Sequence, residues 1–258
     1  MLKPPDEPAA NAPGDSDDPG HDPSSAEARA AWEVQSAVDW QQARVKDLWR
    51  VFRIMGEFVE GFETMSEISP CVSIFGSART RPDHGNYLLA VDVAKALVQR
   101  GFGVISGGGP GIMEAANRGA REANGVSVGL NINIPFEQHS NPYIDPDRLV
   151  EFDFFFVRKV MFVKYAQGFV VLPGGFGTID DLLEALTLIQ TEKSTQFPVV
   201  LMGTEFWSGL IDWLKNTMLE EGNISEKDLD LFRITDDPDE AARLIAHFYE
   251  HKVMLPNF

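Results

Sequence analysis

Three observations predict an α/β fold: a doubly wound, Rossmann-like parallel sheet with helices on both faces and an N-terminal helical extension. Short apolar runs alternate with helix-like stretches from Cys71 onward, the pattern of βα units. Two of those runs end in glycine-rich loops that open helices. The chain has 258 residues with 44% hydrophobic content, enough for one sizeable core with an appendage.

Residues 1–24 are rich in Pro, Asp, Ser, Gly and Ala. They bury too little apolar surface to fold, which predicts a disordered acidic tail. From 25 to 68 the pattern is helical. Trp49, Phe52, Met55, Val59, Phe62 and Met65 recur at spacings of three and four, predicting an extension packed on the main domain or on a partner subunit.

Residues 69–258 are expected to form one Rossmann-like domain. Cys71-Val72-Ser73-Ile74-Phe75 reads as a buried strand with exit loop Gly76-Ser77-Ala78-Arg79. A helix over 87–100 stops at Gly101. Phe102-Gly103-Val104-Ile105 is the next strand, with a helix over 112–123 after its loop. Val126 to Ile132 is a third strand, and a polar loop over 135–148 covers a site. A helix over 154–166 leads to the strand at 169–172, and the run after its loop, 182–190, is helical. Pro198 to Met202 is a strand, 206–219 a helix, and Leu231 to Thr235 a last strand. Asp236-Asp237-Pro238-Asp239 caps a final helix to about His251.

The stretch Pro173-Gly174-Gly175-Phe176-Gly177-Thr178-Ile179-Asp180-Asp181 carries most of the chemistry. Strand, glycine loop and helix together build an anion site, because glycines admit a phosphate to the backbone and the helix start offers unpaired N–H groups. Thr178 adds a hydroxyl donor and caps the helix. Asp180 and Asp181 set carboxylates beside that site. Ser106-Gly107-Gly108-Gly109-Pro110-Gly111 repeats the arrangement. Neither loop is followed by Gly-Lys-Ser/Thr, so neither is a P-loop. Neither has the dinucleotide spacing, which favours a mononucleotide.

The helix at 154–166 is apolar nearly all round yet carries Arg158 and Lys159. An apolar periphery predicts burial, and a buried cation needs a partner. The partner is a phosphate, a carboxylate or both; Lys164 is expected to snorkel to solvent.

Arg158-Lys159 followed by Pro-Gly-Gly-Phe-Gly-Thr and acidic residues resembles the Lonely Guy (LOG) family of cytokinin riboside 5′-monophosphate phosphoribohydrolases, often mislabelled lysine decarboxylases. The resemblance spans about Trp49 to Ala246. The helical extension and Asn131 to Gln138 are similar to the longer bacterial members. It implies a Rossmann-like dimer or larger homo-oligomer that hydrolyses the N-glycosidic bond of a nucleoside 5′-monophosphate, a cytokinin riboside monophosphate or AMP. The products are free base and ribose 5-phosphate, and no cofactor is implied.

On that resemblance Asp181 is the catalytic carboxylate that stabilises an oxocarbenium-like state and orients water. Arg158 stabilises charge on the leaving base, and Lys159 helps with substrate charge. Gly174, Gly175, Gly177 and Thr178 hold the phosphate. Ser77, Gly108, Gly109 and Thr187 are further lining candidates, and Glu137 comes from the covering loop. The family pattern ends in Glu where this chain has Asp181, a side chain shorter by roughly 1.5 Å. Three readings are open. The site is adjusted around Asp181; Asp180 or Glu184 contributes; or the protein is a non-catalytic nucleotide- or molybdenum-cofactor-binding protein of the same fold.

Composition sets limits. A formal charge of −17, from 22 basic and 39 acidic residues, repels nucleic acid and anionic membrane. An anionic ligand therefore needs a local positive site. Cys71 is the single cysteine, so no internal disulfide or cysteine metal cluster is expected, and it reads as buried core. There is no transmembrane run and no signal-peptide pattern, so a cytoplasmic location is expected. His247 and His251 lie four apart on a helix but lack a third ligand, and no metal is assigned.

Overall fold

A computed structural model describes residues 26–134 and 140–258. Among them the apolar runs form one seven-stranded sheet in the order β4-β3-β2-β1-β5-β6-β7. The strands are β1 (Cys71–Phe75), β2 (Gly103–Ser106), β3 (Ser127–Ile132), β4 (Leu149–Phe152), β5 (Ala166–Val171), β6 (Val199–Leu201) and β7 (Phe232–Ile234). Every neighbouring pair is parallel. The helices are α1 (Ala26–Ser66), α2 (Gly85–Val98), α3 (Ile112–Glu122), α4 (Phe155–Tyr165), α5 (Phe176–Gln190), α6 (Thr204–Trp213) and α7 (Pro238–Phe248). This is the doubly wound sheet that the alternating pattern predicts.

Strand side chains alternate between the faces, and the core divides accordingly. Val72, Ile74, Val104, Val170 and Leu172 pack with α2, α3 and α7. Cys71, Phe75, Ile105, Phe169 and Val171 pack with α4, α5, α6 and Met65 at the end of α1. Central strands buried on both faces read as unbroken apolar runs. Cys71 is fully buried, and burial pushes its thiol up to about 12.

The chain divides into two compact units, one ending at Phe52 and one running from Arg53 to Phe258. In the first, the Trp49 and Phe52 rings lie 6.0 Å apart and both side chains are exposed. In the second, Met65 is buried while Met55 and Val59 are exposed. The spacing identified an apolar stripe, but periodicity does not say what covers it. The tail expected over 1–24 lies outside the described residues, as does Glu137.

Several boundaries differ from expectation. β4 was unassigned by pattern; among the described residues it pairs only with β3, with Val150 and Phe152 buried and Glu151 exposed. α5 begins at Phe176 inside the glycine motif, not at Leu182. α6 ends at Trp213 and continues as a π-helical turn over Leu214–Leu219. A 3₁₀ turn over Glu226–Leu231, closed by a Ser225–Asp228 capping box, precedes β7. The Asp237 side chain accepts from the Asp239 N–H at the start of α7, with Pro238 in the first turn. Among the described residues no helix is long and apolar enough to cross a membrane.

Candidate active site

The strand order reverses direction of travel at β1, whose neighbours are β2 and β5. In open α/β sheets the crevice beyond the carboxyl ends of such strands takes ligands. Here it opens as a cavity of about 980 Å³, lined by the β1 exit loop, Gly107, Met113, Arg158, residues 173–179 and Asp181. That is at the upper end of the roughly 300–1,000 Å³ usual for small-molecule sites.

Main-chain bonds lock the loops together. The Ser77 N–H donates to the Pro173 carbonyl at 3.0 Å, and the Ser77 carbonyl accepts from the Ile112 N–H at 3.0 Å. One residue of the β1 exit loop thus ties both glycine loops. The second loop is fixed from below and above. The Ser106 hydroxyl donates to Asn117 Oδ1 at 2.5 Å and accepts from the Gly108 N–H at 3.0 Å. Buried Asn141 donates its amide to the Gly108 and Gly109 carbonyls at 3.1 Å and to Asn117 Oδ1 at 2.9 Å. Of this loop, Gly107 lines the cavity; Gly108 and Gly109 do not.

The Pro173 loop presents itself differently. Gly175 is the N-cap of α5, and no side chain caps that end. The first N–H groups of a helix have no carbonyl within it to bond, and the dipole favours an anion there. Side chains at Gly175 or Gly177 would meet nothing within 4 Å, and both residues line the cavity. Gly174 is tight for another reason: a Cβ there would collide with Thr178. Thr178 lies within the first turn of α5, so it is not the cap the motif suggested. It is buried and lines the cavity.

Arg158 comes from α4, which is gripped at both ends. The Glu57 carboxylate accepts from the Asp153 and Phe154 N–H groups at 3.0 and 3.2 Å, fixing the chain just ahead of the helix. Asn257 donates its amide to the Val163 and Ala166 carbonyls at 2.6 and 2.7 Å, and its N–H to the Lys164 carbonyl at 2.8 Å. The Arg158 guanidinium lies 5.1 Å from the Phe155 ring centre and 5.7 Å from that of Phe162, within cation–π range. α4 is not buried all round as its composition suggested: Phe155 and Phe156 are half exposed. Lys164 lies over the Phe62, Tyr165 and Phe258 rings.

Asp181 and Arg158 line the same cavity. Burial raises the Asp181 carboxyl from 3.8 to about 6; the Arg158 and Lys159 cations oppose that rise, and the Asp180 and Glu184 carboxylates add to it. Lys159 is held elsewhere. Its ammonium contacts Asp180 at 2.7 Å and Glu184 at 3.0 Å, and it is not among the lining residues. Burial works against its charge, but the two carboxylates outweigh burial and hold its pKa above the ordinary value. Thr187 is exposed on α5, its hydroxyl donating to the Leu183 carbonyl at 2.7 Å.

Pattern reading missed several lining residues: Arg79, His84, Met113, Phe155 and Phe206. Arg79 follows directly on Gly76-Ser77-Ala78, and its N–H donates to the Ser77 hydroxyl at 3.1 Å, so the exit loop itself was the signal. Phe206 starts a helix far along the chain, and nothing local marks it. Among the described residues no group of three or more His, Cys, Asp or Glu side chains is arranged to hold a metal ion. The His247 ring contacts Glu250 at 3.0 Å.

A parallel sheet with an uncapped helix start, an arginine and a half-buried carboxylate around one cavity at its switch point places the chain in the class of Rossmann-like folds with a small-molecule crevice. The comparisons narrow the class. A family model described as "Possible lysine decarboxylase" matches residues 113–245. The cytokinin riboside 5′-monophosphate phosphoribohydrolase of Mycobacterium tuberculosis is 31% identical over 170 residues, spanning 64% of this chain and 88% of that protein. The protein of the same name from Mycobacterium marinum is 30% identical over 167 residues, with the same coverage. In structure, the molybdenum cofactor binding protein from Rippkaea orientalis shares the fold, with a TM-score of 0.52 and 19% identity over 70% of this chain and 98% of that one. The chain belongs to the LOG family.

Proposed function

We propose that this protein hydrolyses the N-glycosidic bond of a nucleoside 5′-monophosphate, a cytokinin riboside monophosphate or AMP, giving free base and ribose 5-phosphate. The observation that carries the reading is the gathering of the α5 start, Arg158 and Asp181 around one cavity. The phosphate sits at Gly174, Gly175, Gly177 and Thr178, against the helix N–H groups. The ribose then lies near Asp181. Its ionised carboxylate stabilises positive charge on the opening sugar ring and orients a water. The bond from C1′ to the base breaks as the water oxygen bonds to C1′. Net, water gives its hydroxyl to C1′ and a proton to the base. Arg158 stabilises negative charge on the departing base, and Ser77 lines the sugar side. The named relatives support this activity.

Homo-oligomer formation is part of the reading, supported by exposed Met55, Val59, Phe155 and Phe156. A single, buried cysteine suits a reducing compartment, the cytoplasm.

The test is to incubate the pure protein with AMP and with isopentenyladenosine 5′-monophosphate and follow base release by chromatography. Release is expected from at least one of them, with the ratio ranking the bases. Asp181→Asn should lower the rate by about 100-fold or more. A second reading rests on Asp181 standing where relatives of this pattern carry Glu: a nucleotide- or cofactor-binding protein without hydrolysis. It is favoured if no base appears while AMP still binds and Asp181→Glu gains turnover.

A further inference from the structure

The residues beside the two reacting groups form a second pair. Arg158 and Lys159 are consecutive on α4; Asp180 and Asp181 are consecutive on α5. The first of one pair and the second of the other line the cavity, while the remaining two meet each other: Lys159 contacts Asp180 at 2.7 Å. Glu184, one turn further along α5, closes on the same ammonium at 3.0 Å. The Lys159 side chain is only 16% exposed, whereas Asp180 and Glu184 reach solvent at 61% and 38%. A largely buried ammonium with two carboxylates is costly to break by removing one side.

We propose that Lys159 is a positioning residue and not a substrate ligand: its two ion pairs hold α5 against α4 so that Asp181 and Arg158 face one cavity. The proposal rests on the hydrolase reading for its kinetic test only. It also assigns Asp180 and Glu184 to the scaffold, which leaves Asp181 as the carboxylate of α5 that works on the sugar. A shorter side chain at 181 makes the helix position more critical, because it has fewer torsions with which to correct a displaced backbone. The groups facing Asp181 are Arg158 and Lys159 from α4 and Asp180 and Glu184 on α5 itself. Loss of the Lys159 charge therefore removes one of the cations that keep the Asp181 carboxyl ionised.

Lys159→Met is expected to lower kcat by about tenfold or more, as displacement of a reacting group does, with KM changed by less than about twofold. Lys159→Arg should recover part of the rate, since a guanidinium can also bridge two carboxylates. A KM increase with kcat unchanged would instead make Lys159 a substrate ligand and overturn the proposal. Asp180→Asn/Glu184→Gln supplies a second route should Lys159→Met fail to fold: kcat must fall here too, and full kcat would overturn the bridge. Carbon-13 carboxyl titration of Asp181 is independent of turnover. Its midpoint should move up by roughly half a unit or more in Lys159→Met; an unmoved midpoint counts against the proposal. Wild-type protein that releases no base would sink the hydrolase reading alone, and the titration would still decide the bridge.

Discussion

The two glycine loops look alike in sequence and are opposites in structure. Around Ser106 the glycines are crowded: Met113, Ile144 and the Ala78 backbone stand where side chains would go. Around Pro173, Gly175 and Gly177 face open space in the cavity. Glycine serves the first loop by letting chain pack on chain, and the second by leaving chain open to a ligand. The sequence signal is the same because absence of a side chain is compatible with both.

The sharpest way to break this comparison is Gly111→Ala. Gly111 has φ of 68° and ψ of −127°, a backbone setting that favours glycine. A Cβ there would also collide with the Ser77 carbonyl. A loss of about 3 kcal/mol or more is expected in denaturant unfolding, and a near-wild-type midpoint would show that the packed loop yields. Next, Asn141→Ala removes the side-chain clamp: the Gly108 carbonyl keeps its bond from the residue 141 N–H, while the Gly109 carbonyl and Asn117 Oδ1 lose the Asn141 amide as a donor. It should cost about 2 kcal/mol, with base release falling alongside folded fraction; unchanged stability would mean the loop holds its own shape.

Gly175→Ala tests the open loop. Its φ of −90° and ψ of −159° suit alanine, so stability should stay within about 0.5 kcal/mol. The methyl group stands where a phosphate would approach, and KM should rise about tenfold, near 1.4 kcal/mol. A melting shift without a KM change would reverse the assignment of the two loops.

The smallest effect separates the open site from the packed scaffold by pH. Asp181 titrates near 6 folded against 3.8 as an ordinary carboxyl. The folded state therefore binds this proton more tightly, and its stability falls as pH rises from about 4 to 6. The full shift would be worth about 3 kcal/mol. That shift already includes the attraction of Arg158 and Lys159; partial solvent screening reduces it, and a net gain of about 1 kcal/mol is expected from Asp181→Asn. The variant should melt higher than wild type at pH 7.5 and nearly level with it at pH 4.5. Equal gaps at both pH values would remove the carboxylate from that role. Turnover should rise with pH through about 6, as the ionised form of Asp181 does the work.

How legible the molecule was depends on where each element lies. Central strands such as Cys71–Phe75 are apolar on both faces and declare themselves. Leu149–Phe152 is a short strand at the sheet edge with one partner among the described residues, and its mixed pattern resembles the loop before it. The α5 start was hidden because glycines signal a loop even where they already turn as helix. Within the site, Arg158, Asp181 and the Pro173 glycines were legible because motif spacing is local. The ion pairs of Lys159 with Asp180 and Glu184 were not legible, because those partners are adjacent in space through α5 and not in the α4 sequence. Phe206 had no local mark at all.

The tie made by Ser77 has an evolutionary consequence. Both of its bonds to the glycine loops are made by main-chain atoms, so the junction is indifferent to which side chain position 77 carries. That side chain lines the cavity. A new side chain there leaves both of those bonds in place and gives up only the bond that the Ser77 hydroxyl accepts from the Arg79 N–H, so specificity and stability can change nearly separately at this position.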